Sequence, residues 1–310
     1  MNLQQLEYII AVDNHRHFAK AAEKNFVTQP TLSMMIQKLE EELGIKIFDR
    51  SKQPVIPTSE GEEIIKRAKT IIAHVNFLKE YIRERKDEIT GEFRLGIIPT
   101  LAPYLLPLFL NTFHKKHPAL KIIVKEMITE EIIVKLKKGE LDIGILATPA
   151  NEKGLEEYPM FYEEFMAYAS KEEMLSKKKY LLPKEIDIHH LWLLEEGHCL
   201  RNQIFNLCEL KKMDSKMLNY EAGSIETLIN LVDHNQGITI IPKLAQMNLN
   251  PLQQKNIREF APPKPVREIS LVVIDSFPRK KLLEYLKEEI INSVPSEMLR
   301  SKQKKIMVIK

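Results

Sequence analysis

The sequence predicts two fold classes in one chain: a small helical head, then a larger α/β domain. Three observations carry the prediction. Apolar stripes at helical spacing fill roughly the first 90 residues, whereas strand-like and helix-like segments alternate from Gly91 onward. At 310 residues the chain is also long enough to bury more than one core.

Composition narrows the function classes. The chain is 44% hydrophobic and 29% charged with a net charge of +3, and charges break its apolar stretches before they reach membrane-spanning length. The opening MNLQQLEYII lacks the parts of a secretory signal, so a cytoplasmic location is expected. Residues 1–90 hold 14 Lys/Arg and 14 Asp/Glu, so any polyanion binding there depends on the placement of a few groups. The last 13 residues carry five basic side chains and no acid. Residues 301–310 are expected to be a frayed, solvated basic tail.

Residues 3–12 and 18–26 read as two short amphipathic helices. A third follows the break at Val27–Thr28–Gln29, with Pro30 in its first turn and Gly44 as its terminator. Leu32, Met35, Ile36, Leu39 and Leu43 form its apolar stripe, leaving Gln29, Thr31, Ser33, Met34 and Gln37 on the other side. Short polar side chains on the second helix of such a pair match a helix-turn-helix, because Thr, Ser and Gln reach base edges or phosphates without filling the major groove. The segment IKIFDRSKQPVIPT reads as a β-hairpin wing carrying Arg50 and Lys52. Thr58 can cap the next helix, which reaches about Asp87. Along it Ile64, Ala68, Ile71, Val75, Leu78 and Ile82 recur at intervals of four and three, a heptad seam suited to self-pairing.

From Gly91, FRLGII, LKIIVKEM and LDIGILA are strand-like and are separated by helix-like segments, a βαβ rhythm that predicts mainly parallel sheet. Ligands in such folds gather beyond the carboxyl ends of strands. Thr100, Thr129 and His198–Cys199 occupy those positions.

The chain has two cysteines, Cys199 and Cys208. Cys199 opens a helix, where N–H groups stabilise a thiolate, and His198 and Arg201 flank it as further candidates to lower its pKa. Cys208 shares an apolar stripe with Leu200, Ile204 and Leu207. In a continuous helix the two Cα atoms stand roughly 13–14 Å apart along the axis. A disulfide needs about 7 Å or less, so the pair cannot bond without unwinding that helix. By spacing alone, two unrelated thiols, one buried and one incidental, are the leading reading. A zinc site on His198, Cys199 and Cys208 fits no common spacing, and neither metal nor other cofactor is expected.

LEYIIAV, FAKAAEKNFVTQPTLSMMIQKLEEELGIKIFDR and PTSEGE, in order and without gaps, resemble the winged helix of LysR-type transcriptional regulators, and the similarity covers nearly the whole chain. The resemblance implies a winged helix-turn-helix (1–58), a linker helix for dimerisation (59–90) and a regulatory domain (91–300). That domain would have two Rossmann-like lobes, as in periplasmic binding proteins: lobe I from 91–163 with 267–298, lobe II from 164–266. It places Gln29, Pro30, Thr31 and Ser33 on the recognition helix and Arg50 in the wing. The implied partners are double-stranded DNA, read as two half-sites per dimer, and RNA polymerase, with a homodimer or homotetramer as the working form.

EEGHCLRNQ, followed by the second cysteine, resembles the motif of peroxide-sensing members of that family, as do IPTLAPYLLP, GSIETL and GITIIP. This resemblance implies hydrogen peroxide as the signal. Cys199 would be oxidised through a sulfenic acid and Cys208 would resolve it to a disulfide. Thr100, Thr129 and His198 would line the pocket, supported by Arg201 and Arg267. Asn202 and Gly223 depart from the pattern, where an acidic residue and a threonine are common. Two other readings stay in view: a family member answering a small effector, with incidental cysteines, and a stand-alone thiol peroxidase.

Overall fold

Asn2 opens the molecule as half of a capping box, its side chain accepting from the Gln5 N–H while the Gln5 side chain accepts from its own. The computed structural model describes residues 1–84, 89–173, 178, 180–208, 222–275, 277–299 and 304–307. Contacts divide the chain into two units, Met1–Glu88 and Ile89–Lys310.

In the first unit, α1 (Leu3–His15), α2 (Phe18–Lys24) and α3 (Gln29–Leu43) enclose Leu6, Ile9, Val12, Ala21, Leu32, Ile36 and Leu39. Thr28 caps α3, Pro30 lies in its first turn, and Gly44 closes it in the left-handed conformation. The second helix stops short of the expected end. Phe26 has a φ of 56° and is 96% exposed, because the chain there turns back toward α3 and the Val27 N–H reaches the Ala22 carbonyl. Leu43 is also exposed rather than part of the buried stripe, since the last turn of α3 runs past the core. The wing is a short hairpin, β1 (Phe48–Asp49) antiparallel to β2 (Ile56–Pro57).

The long helix α4 (Ser59–Glu84) begins with the Gly61 N–H donating to Thr58 Oγ1. Its start corrects the heptad expectation. Ala68 is buried with Ile65 in the head's own core, Ile64 packs on that core, and Lys69 pairs with Asp13 of α1 at 2.7 Å. Those turns are committed to their own domain. Ile71 and Leu78 are exposed and Val75 is half-buried; the Ile82 side chain lies outside the described residues.

The second unit runs β3 (Gly91–Ile97), α5 (Ala102–Lys116), β4 (Leu120–Glu126), α6 (Thr129–Lys137), β5 (Ile143–Thr148), β6 (Leu155–Ala169) and β7 (Tyr180–Leu181). Then follow α7 (Cys199–Leu207), α8 (Ile225–His234), β8 (Ile238–Pro242), α9 (Lys243–Met247), β9 (Ile257–Phe260), β10 (Lys264–Ile274), α10 (Lys280–Ser293) and β11 (Lys304–Ile306). Strand neighbours are β4-β3-β5-β10-β6-β9-β7, with β8 also on β6 and β11 also on β10. The sheet is mixed, not mainly parallel. β3, β4 and β5 are parallel, but β10 runs antiparallel to β5 and β6, and β6 antiparallel to β8 and β9. The two longest strands, β6 and β10, pair with each other and run against their neighbours, a pairing that local periodicity does not show.

The C-terminal end is another correction. Lys304–Ile306 pairs parallel with Lys264–Val266, and Met307 is buried with its N–H donating to the Val266 carbonyl. Gln203 of α7 donates to the Met307 carbonyl at 3.2 Å. Within the described residues 304–307, pairing with the β10 edge and burial of Met307 hold the chain, while Ile306 stays exposed.

Candidate functional site

The candidate thiol site draws on segments beyond strand ends: Thr129 and Arg267 act on Cys199, and Thr100 holds Arg267. Thr100 lies buried in the turn between β3 and α5. Thr129 is the first residue of α6. Cys199 is the first residue of α7, preceded by Gly197 at a φ of 95° and by His198 as N-cap. A side chain at Gly197 would be strained by that φ and would also press on Ile128, which Gly197 approaches closely. That approach brings the start of α7 against the start of α6.

Both cysteines are free thiols, and both are buried. Burial pushes the Cys199 thiol above its ordinary value of 9.0; the Arg267 charge opposes this, helped by the Thr129 hydroxyl and the backbone N–H groups of Leu200 and Cys199. Burial thus works against the helix-start N–H groups that the sequence expectation rests on. Helix N–H groups act as foreseen, but desolvation is larger. The Thr129 oxygen faces the sulfur without completing a well-formed hydrogen bond, an unsatisfied polar atom in the wall of the site.

The cation differs from the one expected at the flank. Arg201 donates to the Leu194 carbonyl at 2.6 Å and lies over the Phe205 ring, so its charge is turned to the base of the loop. Arg267 has no exposed surface and donates from Nη1 to Thr100 Oγ1 at 2.8 Å and from Nη2 to the Thr100 carbonyl at 3.1 Å. Glu163, equally buried, accepts the Arg267 Nε–H at 2.8 Å and lies 2.7 Å from Nη2 as an ion pair. Sequence reasoning missed Glu163. Its signal was a charge sharing a strand face with Phe161 and Phe165. His198 is buried with Nε2 3.6 Å from Glu195, beyond hydrogen-bond range.

Cys208 closes α7, buried with Leu200, Ile204 and Leu207. With only apolar desolvation acting on it, its thiol is pushed up to about 12. The nine residues from Cys199 to Leu207 form unbroken helix. Asn202 is exposed, and an added side-chain carbon at Gly223 would meet only Glu195 at van der Waals range. The Asn202 departure from the peroxide-sensor pattern therefore points its side chain to solvent rather than at the sulfur.

The head presents a second candidate surface. Gln29, Pro30 and Thr31 are exposed at the start of α3 and Ser33 is half-buried. Arg50 is less free than a bare wing cation: it donates to Ser33 Oγ at 3.0 Å and to Glu40 at 3.2 Å, and lies over Phe18. Glu40 is buried and also accepts the Ile47 and Phe48 N–H groups. It locks the wing to α3, and its signal was a carboxylate four residues after Ile36 on a buried stripe.

Residues 3–62 match the family described as bacterial regulatory helix-turn-helix protein, lysR family. Residues 86–292 match the LysR substrate binding domain. The chain is 33% identical over 296 residues to the hydrogen peroxide-inducible genes activator of Haemophilus influenzae, covering 96% of this chain and 98% of that protein. It is 33% identical over 293 residues to the DNA-binding transcriptional dual regulator OxyR of Escherichia coli, covering 94% and 95%. Among solved structures, a full-length OxyR variant from Pseudomonas aeruginosa matches with a TM-score of 0.77 at 30% identity, covering 95% of this chain and 99% of that one.

Proposed function

Since the chain belongs to the LysR-type family of bacterial transcriptional regulators, and within it resembles OxyR, we propose that hydrogen peroxide is its signal and altered DNA binding its output. One observation supports this above the others: a buried thiol at a helix start, faced by a threonine hydroxyl and a buried arginine, with a second thiol nine residues away on the same helix. A pocket for a small carboxylate effector has no use for that second thiol.

In this reading the Cys199 thiolate attacks one peroxide oxygen, the O–O bond breaks, and the other oxygen leaves as hydroxide that takes a proton to become water. The sulfur, oxidised by two electrons, is then a sulfenic acid. The Cys208 thiolate attacks that sulfur, hydroxide leaves and is protonated, and a disulfide replaces two thiols. Closing it requires the helical separation of roughly 13–14 Å to collapse to about 7 Å or less, so α7 unwinds. Each chain reacts once per reduction cycle, which makes it a stoichiometric sensor rather than a turnover enzyme.

The test is peptide mass analysis after sub-stoichiometric peroxide. A Cys199–Cys208 bond within one chain is expected. Disulfides only between chains, or untouched thiols, would sink the reading.

Cys208→Ala is expected to accumulate sulfenic acid at Cys199, trapped by dimedone, without reaching the disulfide conformation. It also carries a pH consequence. A thiol pushed from 9.0 up to about 12 is protonated in the fold while the unfolded thiol ionises, so stability is full below about pH 9 and declines as pH rises toward about 12. Urea melts across that window are expected to fall more steeply for wild type than for Cys208→Ala.

DNA is read in this proposal by Gln29, Pro30, Thr31 and Ser33, with Arg50 near the backbone, in a dimer paired through Ile71, Val75, Leu78 and Ile82. A tetramer working with RNA polymerase in the cytoplasm completes the reading. Among the described residues no helix is long and apolar enough to cross a membrane. Because Arg50 also holds Ser33 and Glu40, Arg50→Ala is expected to weaken binding to all sequences and lower the salt slope by about 1. Arg50→Lys should restore the slope but not the affinity, since a point charge cannot hold both partners. Wild-type affinity of Arg50→Ala at moderate salt would remove the residue from the interface.

A further inference from the structure

We infer that Glu163 is a positioning residue for the reactive thiol: by gripping Arg267 across two paired strands, it holds the guanidinium charge where it acts on Cys199. The geometry carries this. Glu163 and Arg267 face each other in the antiparallel register of β6 and β10, and neither side chain has exposed surface. One carboxylate oxygen accepts the Arg267 Nε–H at 2.8 Å and lies 2.7 Å from Nη2 as an ion pair. The other accepts the Leu244 N–H at the start of α9, at 2.8 Å. With Nε held from the strand side, Nη1 donates to the Thr100 hydroxyl and Nη2, shared with Glu163, also reaches the Thr100 carbonyl. The guanidinium plane is thus set by Glu163 on one side and by Thr100 on the other.

Arg267 is the chief charge favouring the Cys199 thiolate against desolvation. The Thr129 hydroxyl and the amides of Cys199 and Leu200 also favour the thiolate. The two paired charges also act on Tyr104, whose hydroxyl donates to Glu226 at 2.6 Å. A cation on a long flexible stem would move away from a buried thiol unless held. Glu163 also ties it to the amide of Leu244, so a rearrangement that shifts α9 against β6 would move the charge as well. This rests on the proposed sensor role only for its biological meaning, since the positioning itself concerns the thiol's acidity.

The test uses the full chain carrying Cys208→Ser, with Cys199 alkylation by iodoacetamide followed against pH. Glu163→Asp keeps the charge but shortens its reach by one methylene. With the strand register fixed, the guanidinium is drawn toward β6 and away from Thr100. The alkylation midpoint is expected to rise by about one pH unit, leaving about tenfold less thiolate near neutrality. The doubly neutral Glu163→Gln/Arg267→Met chain removes the buried pair without orphaning either charge, so it should fold. Its midpoint is expected to rise at least as far. A folded Glu163→Asp chain with the wild-type midpoint, or a slower rate at every pH with no midpoint shift, would overturn the positioning role. A wild-type midpoint in the neutral chain would do so even if Glu163→Asp did not fold. Alkylation consumes no peroxide, so absence of a peroxide-induced disulfide in the wild type would refute the sensor reading while leaving this comparison intact.

Discussion

Cys199→Ser is expected to abolish the peroxide response completely while leaving the reduced fold within about 1 kcal/mol of wild type. The exchange nearly conserves volume, and serine can occupy the first position of α7 with its oxygen near the Thr129 hydroxyl, which has no good partner now. What disappears is the nucleophile, because a hydroxyl beside Arg267 remains protonated near neutral pH and does not attack peroxide. Intact mass after one equivalent of peroxide distinguishes the proteins: wild type loses two hydrogens, and the variant is unchanged. DNA footprints with and without peroxide are expected to differ for wild type and coincide for the variant. A peroxide-dependent footprint that persists in Cys199→Ser would place the sensor elsewhere in the chain.

Arg267→Ala is the substitution with the largest expected structural cost. It leaves the Glu163 carboxylate in the core with one remaining N–H donor, from Leu244, and breaking one side of such a buried pair costs about 3–5 kcal/mol. Two hydrogen bonds to Thr100 vanish as well, loosening the turn between β3 and α5. The chemical consequence is separate. With the main opposing charge gone, desolvation acts on Cys199 almost alone, so its pKa rises further and the thiolate becomes scarcer near neutrality. Urea denaturation and the pH dependence of sulfenic-acid formation measure the two effects independently. A stable variant with an unshifted pH profile would refute both the buried-pair account and the role of Arg267 at the thiol.

Some of the head was legible residue by residue, because its information is local. Leu32, Ile36 and Leu39 show their stripe through helical spacing, Thr28 and Pro30 mark the start of α3, and Gly44 marks its end. Ala68 was misassigned for an equally physical reason. A heptad stripe shows that a face is apolar but not which neighbour covers it, and here the head covers the beginning. Of the two arginines the resemblance implies, Arg201 is near in sequence but donates to the Leu194 carbonyl. The arginine that acts on the thiol comes from 68 positions further along the chain, Arg267 to Cys199, brought there by β10.

The sequence by itself determined the helical head, the α/β alternation, and the two cysteines on one helix at a separation no disulfide can span. Each follows from backbone periodicity and helix rise, which depend only on neighbours along the chain. Tertiary structure alone decided the electrostatics. Glu40 and Glu163 sit on apolar faces in sequence, but which cations meet them there, Arg50 from the wing and Arg267 from β10, is set by the fold. Whether Cys199 is acidic depends on a balance of desolvation against one buried charge, and both quantities are set by packing between segments far apart in the chain.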